Sequence, residues 1–418
     1  MKKVLVRAPA LSQSGYGEHA RFLLRSLRSQ PENFDIFLIN TNWGATSWIW
    51  QDNEERAWLD YLIHKTTNFL QSGGQFDLSL QVTIPNEWEK LAPVNIGVTA
   101  GIETTKIAPE WVGKSLEMDK IIVTSQHAKY GFDNTEYEAT NNNTGEQFLA
   151  KTTCPVEVVN YPVKDIKAKN INLDLKYDFN FLVVGTWIPR KNMENTIRWF
   201  IEEFKDQEVG LIVKTSTAKN CVKDRSITKK RLSKFLETFG ETTCQVYLLH
   251  GEMTEEEMTG LYNHKKVKCL INIGHGEGFG LPLFEAAYNG LPIMTIPWGG
   301  QVDFLYKTVK NKKGKLENRA MFTPVSYNLS LVQPEAVWNG VIVKDSMWAY
   351  AKEWDYKKSL KTVMKNHRTL KTQANKLKKH LHETHAEEVI YQKMCEAVYK
   401  QSEEEKQWSQ QMETVEAV

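Results

Sequence analysis

An α/β chain with two parallel-sheet domains is the architecture this sequence predicts, and three observations predict it. Short apolar runs alternate with amphipathic stretches of helical period along most of the chain, the pattern of parallel strands joined by crossover helices. Two such series flank a polar, proline-bearing stretch at 161–172, which reads as a linker between domains. At 418 residues the chain is also too long for one average domain. The division expected is 1–165, 166–345 and a helical C-terminal segment, 346–418.

The first series opens with a strand at 4–6 and a loop holding Gly15 and Gly17, followed by a helix with Ala20, Leu23, Leu24 and Leu27 on one side. Gly15-x-Gly17-x-x-Ala20 formally matches a dinucleotide fingerprint. The second strand, 36–39, ends in Asn40-Thr41-Asn42 rather than an acid, which speaks against a nicotinamide ribose there. Each glycine is open to two readings, a tight turn or close approach of a ligand. Strands follow at 76–82, 94–99 and 120–124, and helices at 109–117 and 125–132, with Pro109 at N1 and Ser125 as N-cap. In such sheets ligands meet the C-terminal ends of strands. Glu103, Ser125 and His127 fall there; His127 reads as a helix-surface residue. Residues 134–153 break the alternation, and the turn signal at 141–145 implies a hairpin insertion. It either touches a ligand at the sheet edge or decorates the surface.

The second series starts with a strand at 179–185 and a loop to Asn192 that places Arg190 and Lys191 just before a helix. The helix dipole disfavours cations at that end, so an anionic ligand explains them better than solvent does. Strands at 209–213, 245–249 and 267–273 follow; Lys214 ends the first and is a phosphate candidate. The chain is centred on the next stretch. Gly274, Gly276, Gly278 and Gly280 form a loop able to approach a ligand, Pro282 stands where a helix begins, Gly290 ends it, and a strand follows at 292–296. The helix start is an anion site, and Glu277 and Glu285 can accept hydrogen bonds from hydroxyls. Anion site plus two carboxylates suits a nucleotide-sugar. Asp303 lies on a short helix beyond the Trp298-Gly-Gly turn, and 307–340 reads as irregular. From 346 the chain reads as helical. Its 356–380 portion holds no Asp or Glu and is strongly basic. Such runs are usually a solvated face; the other reading is a polyanion contact through Lys371, Lys376 and Lys379. A Glu-rich helix follows from 384, and 413–418 is expected to fray.

The net charge of +2 excludes a global field that would select an anionic partner, so any basic patch is local. Five scattered cysteines without a C-x-x-C fit reduced thiols better than a disulfide framework or a zinc site. The N-terminus runs straight into a strand without the apolar core of a signal peptide. No apolar run of about 18 residues marks a membrane span. These features imply a cytoplasmic protein.

The E-x7-E pattern of Glu277 and Glu285 encloses Gly-Phe-Gly-Leu-Pro and is followed by Ala-Ala-x-x-Gly-Leu-Pro. In this it closely resembles the retaining glycosyltransferases of family 4, which have the GT-B fold: two Rossmann-like domains facing a central cleft, with the C-terminal helix crossing back. The resemblance implies that Glu277 meets the donor sugar, that the Gly278, Phe279 and Gly280 segment meets sugar and pyrophosphate, and that Glu285 holds the ribose. Gly185-x-x-x-Pro189-Arg190-Lys191-Asn192 resembles the family's diphosphate-binding loop. Many relatives have Arg directly after the glycine. Here Thr186 stands there, so Arg190 supplies the second cation or Lys191 acts alone. Gly15 and Gly17 resemble the loop that closes on donor phosphates. Residues 101–111 resemble an active-site stretch in which a polar residue, here Glu103, faces the sugar. The implied donor is a UDP- or GDP-sugar, with no cofactor and no metal, since Asp-x-Asp is absent. Domain 1–165 would take the acceptor and 166–345 the nucleotide-sugar. The short N-terminal loop and the hairpin insertion resemble glycosyltransferases often carried by tailed phages, which would place the protein in the host cytoplasm. The acceptor implied is a hydroxymethylated pyrimidine in DNA, toward which the basic stretch tilts the reading, or a surface glycan. From another class, a nucleotide-sugar-binding module without turnover is the alternative; intact Glu277, Glu285 and Lys191 argue against it.

Overall fold

The computed structural model describes residues 1–141, 143–311 and 313–400; the fraying expected at 413–418 lies outside them. The first sheet is built from β1 (Lys2–Ala8), β2 (Phe34–Asn40), β3 (Leu78–Val82), β4 (Val94–Thr99), β5 (Lys120–Val123) and β8 (Val156–Val158), with the antiparallel hairpin β6 (Glu136–Thr140) and β7 (Gln147–Lys151) inserted before the last. The strands run parallel in the order β2-β1-β3-β4-β5-β8. Helices α1 (Gly15–Arg28), α2 (Glu54–Gln71), α3 (Pro109–Ser115) and α4 (Gln126–Asn134) make the crossovers. Ser14 caps α1 by accepting from Gly17 N at 3.0 Å, and Leu23, Leu24 and Leu27 are fully buried.

The second sheet repeats the plan with β9 (Asn180–Val184), β10 (Gly210–Lys214), β11 (Gln245–Leu249), β12 (Val267–Asn272), β13 (Ile293–Thr295) and β16 (Thr323–Pro324), and with α5 (Met193–Phe204), α6 (Val222–Glu237), α7 (Glu255–Tyr262), α8 (Leu281–Tyr288) and α9 (Val302–Leu305). Its order, β11-β10-β9-β12-β13-β16, is that of a dinucleotide-binding sheet. Strands buried on both faces explain the uninterrupted apolar runs such as Phe181 to Val183. Strand order reverses between β1 and β3 in the first sheet and between β9 and β12 in the second. The loops leaving those strands therefore border the crevices where ligands sit in this architecture.

Two stretches depart from the expectation. Residues 307–340 are not irregular throughout. They hold the hairpin β14 (Tyr306–Lys310) and β15 (Leu316–Ala320), the sixth sheet strand, and β17 (Tyr327–Leu331). Residues just after 346 are a strand, β18 (Met347–Ala351), antiparallel to β17. Trp348 is fully buried there and stacks on His275 at 4.9 Å, so tertiary packing decides the state of that segment. The linker stretch after Tyr161 is itself packed. Tyr161 and Val163 are buried, and Val163 N donates to His385 O at 2.7 Å.

Helix α10 (Glu353–Thr384) bends at Asn366, and α11 (Glu387–Val398) returns to the first domain. There Cys395 Sγ donates to Ser26 O at 3.1 Å and Lys120 Nζ to Ala397 O at 2.8 Å. Ile390 and Met394 join Leu23 and Leu27 in one core. Among the described residues, no helix is long and apolar enough to cross a membrane.

Candidate active site

Two loops leave the reversal point of the second sheet and are joined to each other. His275 N donates to Arg190 O at 2.7 Å and Asn192 Nδ2 to Ile273 O at 3.2 Å. The join brings Lys191 Nζ to 2.6 and 2.8 Å from the two carboxylate oxygens of Glu277. Arg190 Nη1 donates to Gly276 O at 2.8 Å and lies 3.4 Å from Glu277 Oε2, while its Nη2 is 3.1 Å from Glu103 Oε1 of the first domain. Asn272 Nδ2 donates to Glu277 Oε1 at 2.9 Å. Burial alone would raise the Glu277 carboxyl. Lys191 and then Arg190 overcome it and hold the group down to about 2, so it is ionised. The sequence-predicted residues Glu277, Lys191, Arg190 and Glu103 thus form one cluster across the domain boundary.

The glycine loop is pressed against the first domain. A Cβ on Gly276 would lie 2.1 Å from Glu103 O, and one on Gly278 would lie 2.5 Å from Ala100 O. These two glycines let one domain's backbone approach the other's. Ser125 caps α4 through Ala128 N and donates its hydroxyl hydrogen to Gly278 O at 2.6 Å. Asp303 accepts from Gln126 N at 2.8 Å and from Asn160 Nδ2 at 3.2 Å. Gly280 starts α8 at φ +94°, which favours glycine. His127 lies on α4 but is half-buried rather than fully on its surface. Its ring meets Trp298 edge-on at 4.8 Å, and burial lowers the imidazole to about 4.

Glu285 lies apart from that cluster, in a cavity of about 300 Å³ bordered by Gly15, Glu18, Lys164, Tyr262 and Tyr288. Burial pushes its carboxyl up to about 7, against the opposing pull of the Tyr262 hydroxyl, which donates at 2.8 Å, and of Lys164. Lys164 Nζ is 2.7 Å from Glu18 Oε1 and also pairs with Glu255. The two glycines of the first loop differ. Gly15 has open space where a Cβ would stand, whereas a Cβ on Gly17 would lie 1.9 Å from Ser12 O, so Gly17 serves a tight turn. The Phe279 side chain is buried among Tyr161, Phe284 and Phe304. Lys214 Nζ donates to Gly251 O at 2.7 Å, at the end of β10.

The basic stretch resolves into two parts. Its early lysines find acids on α5: Lys357 pairs with Glu202 at 2.7 Å and Lys361 with Glu203 at 3.0 Å. Lys371 is no free surface cation, because its Nζ donates to Gly290 O at 2.6 Å behind α8. Lys376 and Lys379 instead border a groove of about 630 Å³ with Lys307, Arg319 and Arg368, between α10 and the β14–β15 hairpin. Lys379 stands 3.9 Å from Glu383.

Sequence reasoning missed Lys164, Glu18 and Tyr262. Lys164 was hidden because its proline-bearing stretch reads as a tether; the apolar alternation of Tyr161 and Val163 was the available signal that the segment packs. Among the described residues, no group of three or more His, Cys, Asp or Glu is placed to hold a metal ion.

Two parallel six-stranded sheets facing one cleft, with the last helix crossing back, define the GT-B fold. The chain is similar over 95% of its length to HepE of Anabaena, solved in complex with UDP and glucose, at 13% identity, covering 99% of that chain with a TM-score of 0.58. It is similar over 95% of its length to sucrose-phosphate synthase from Thermosynechococcus elongatus, at 10% identity, covering 98% of that chain with a TM-score of 0.60. A lipopolysaccharide outer core galactosyltransferase, WaaB, matches at 13% identity over 95% of this chain and 99% of its own, with a TM-score of 0.52. No protein-family model and no curated protein matches the sequence significantly.

Proposed function

We propose that the protein is a retaining glycosyltransferase that moves a sugar from a UDP-sugar, or a GDP-sugar, to an acceptor hydroxyl. The observation that carries this reading is the Lys191–Glu277–Arg190 cluster at the reversal point of the second sheet, facing Glu103 of the first. HepE, solved with UDP and glucose, has the same fold, which supports UDP as the nucleotide. In this reading residues 166–345 hold the donor and 1–165 the acceptor, with α10 and α11 tying the two together. Glu285 accepts the ribose hydroxyls in its cavity, beside Gly15. Gly278, Phe279 and Gly280 present backbone to the sugar and pyrophosphate. Lys191 and Arg190 exchange part of their carboxylate contact for the diphosphate as the glycosidic bond breaks, and Lys214 is a further phosphate contact. Charge grows on the leaving diphosphate, and cations fixed in a water-poor site stabilise it. Glu277 and Glu103 are then left to meet the sugar hydroxyls. Release of UDP or GDP from a panel of nucleotide-sugars, with oligosaccharides or DNA containing 5-hydroxymethylcytosine offered as acceptor, tests the reading, and no release under any of these conditions would contradict it.

A second reading concerns the acceptor. The groove of Lys307, Arg319, Arg368, Lys376 and Lys379 favours a polyanion such as phage DNA carrying hydroxymethylated pyrimidines.

A further inference from the structure

We infer that the loop joining β2 to α2 is an acceptor subsite for a neutral saccharide; this rests on the transferase reading and names its substrate class. The loop carries Trp43, Trp48 and Trp50 within eight residues. Trp48 and Trp50 are 51% and 67% exposed, although indoles are among the side chains that gain most from burial. Backbone pairing holds them in place. Gln13 N donates to Ser47 O at 2.7 Å, Ile49 N donates to Leu11 O at 2.8 Å, and Ser12 bridges Trp48 antiparallel. The loop therefore runs beside residues 11–14, and Gln13 and Ser14 border the Glu285 cavity.

The same loop reaches the second domain. Trp50 Nε1 donates to Glu252 Oε2 at 3.0 Å and Ser47 Oγ to Lys219 O at 2.8 Å. The tryptophans thus stand on a rim that spans both domains. Inward, the Trp43 ring lies 4.1 Å from that of Tyr16, whose hydroxyl is 2.8 Å from Thr99 Oγ1. Thr99 immediately precedes Ala100, which abuts Gly278 of the Glu277 loop. A continuous line of contacts joins the aromatic rim to the proposed reaction centre.

Fixed, exposed indole faces take flat partners, either the C–H face of a pyranose or a nucleobase. The surrounding charge chooses between them. Asp52 and Glu54 are exposed carboxylates at the end of the loop and Glu252 one across the rim, set against Lys219 and against Lys214, which faces Glu252, while Arg56 is engaged by Asp60 at 3.0 Å. The loop itself, 41–53, holds no Lys or Arg, so it offers nucleic-acid phosphates no cation of its own, whereas sugar hydroxyls find acceptors. The basic groove lies elsewhere, against α10.

Saturation-transfer NMR on the full chain with neutral oligosaccharides (maltotriose, cellotriose, chitotriose and lactose) tests the inference. Ring protons of at least one of them receive saturation from the wild type. Trp48→Ala and Trp50→Ala each weaken its binding about tenfold. Trp354→Ala, which removes a comparably exposed indole from α10, keeps wild-type binding and serves as the control. No transfer to any saccharide, or unchanged binding by the double variant, overturns the subsite. So does binding of DNA containing 5-hydroxymethylcytosine that is lost in the same variants. UDP release is measured separately on the same preparations. Its absence alongside saccharide binding would uphold the site and sink the transferase reading.

Discussion

Lys191 Nζ stands within 2.6 and 2.8 Å of both carboxylate oxygens of Glu277, a partner 86 residues further along the chain. Both side chains are largely buried, at 14% and 7% exposure. Removing one member of such a pair leaves a charge without its main partner. Lys191→Ala is expected to destabilise the fold by about 3 kcal/mol, at the low end of that range because Asn272 and Arg190 still face Glu277. Urea denaturation at neutral pH measures this, and an unchanged midpoint would show that Glu277 does not depend on the lysine.

Glu285 supplies a pH dependence. Its carboxyl titrates near about 7 because burial disfavours the charge. Ribose hydroxyls donate to the ionised form and stabilise it, so the bound state titrates lower than the free one. UDP-glucose affinity should then be weak below the free value and rise as the pH climbs through it, about tenfold for each unit by which binding lowers the titration. Calorimetry from about pH 5.5 to 8.5 reads the effect. The rise should vanish in Glu285→Gln, and a flat wild-type profile would remove Glu285 from the ribose.

Glycines of the two loops should respond differently to alanine. A methyl on Gly276 meets Glu103 O, a backbone atom that cannot rotate away, so Gly276→Ala is expected to cost about 1–3 kcal/mol. A methyl on Gly15 meets nothing within 4 Å. Gly15→Ala should change stability by no more than about 0.5 kcal/mol while weakening donor binding. Thermal unfolding and calorimetry on both variants separate the two effects.

If DNA is the acceptor, the α10 groove should hold its phosphates. Binding would then fall with salt, with a log–log slope of about −0.9 per phosphate contacted. Reversing Arg368, Lys376 and Lys379 to Glu should flatten that slope, whereas reversing Lys371 should act through stability, because its ammonium is bound to Gly290 O. Mobility shifts at several salt concentrations distinguish these outcomes. Absence of DNA binding at low salt in the wild type would return the groove to a solvated face.

Part of this structure was legible where the signal is local, and the strands that were missed are β8 and β14 to β18. Strands β1 to β5 and β9 to β13, the Ser125 cap, Pro109 in the first turn of α3, the hairpin insertion and the Gly280-to-Gly290 helix all follow from periodicity and backbone preference within short windows. The residues of the Lys191–Glu277–Arg190 cluster were found by motif, but their pairing was not, because no local rule joins positions 86 apart. The acids that answer Lys357 and Lys361 lie on α5, so a run without acids looked more exposed than it is. The strand at 347–351 depends on Trp348 meeting His275, a contact invisible to a propensity argument. Gly276 and Gly278 were read as letting the backbone approach a ligand; that they also let the first domain's backbone approach is a long-range contact no local pattern encodes.

The central claim is that the cations beside Glu277 stabilise a departing nucleoside diphosphate. Initial rates of UDP release at saturating UDP-sugar, for the wild type, Lys191→Ala and Lys191→Arg, test it most directly. The account predicts a loss of roughly a hundredfold or more in kcat for Lys191→Ala, with a smaller change in donor affinity and partial recovery in Lys191→Arg. A folded Lys191→Ala variant that releases UDP at the wild-type rate would contradict it.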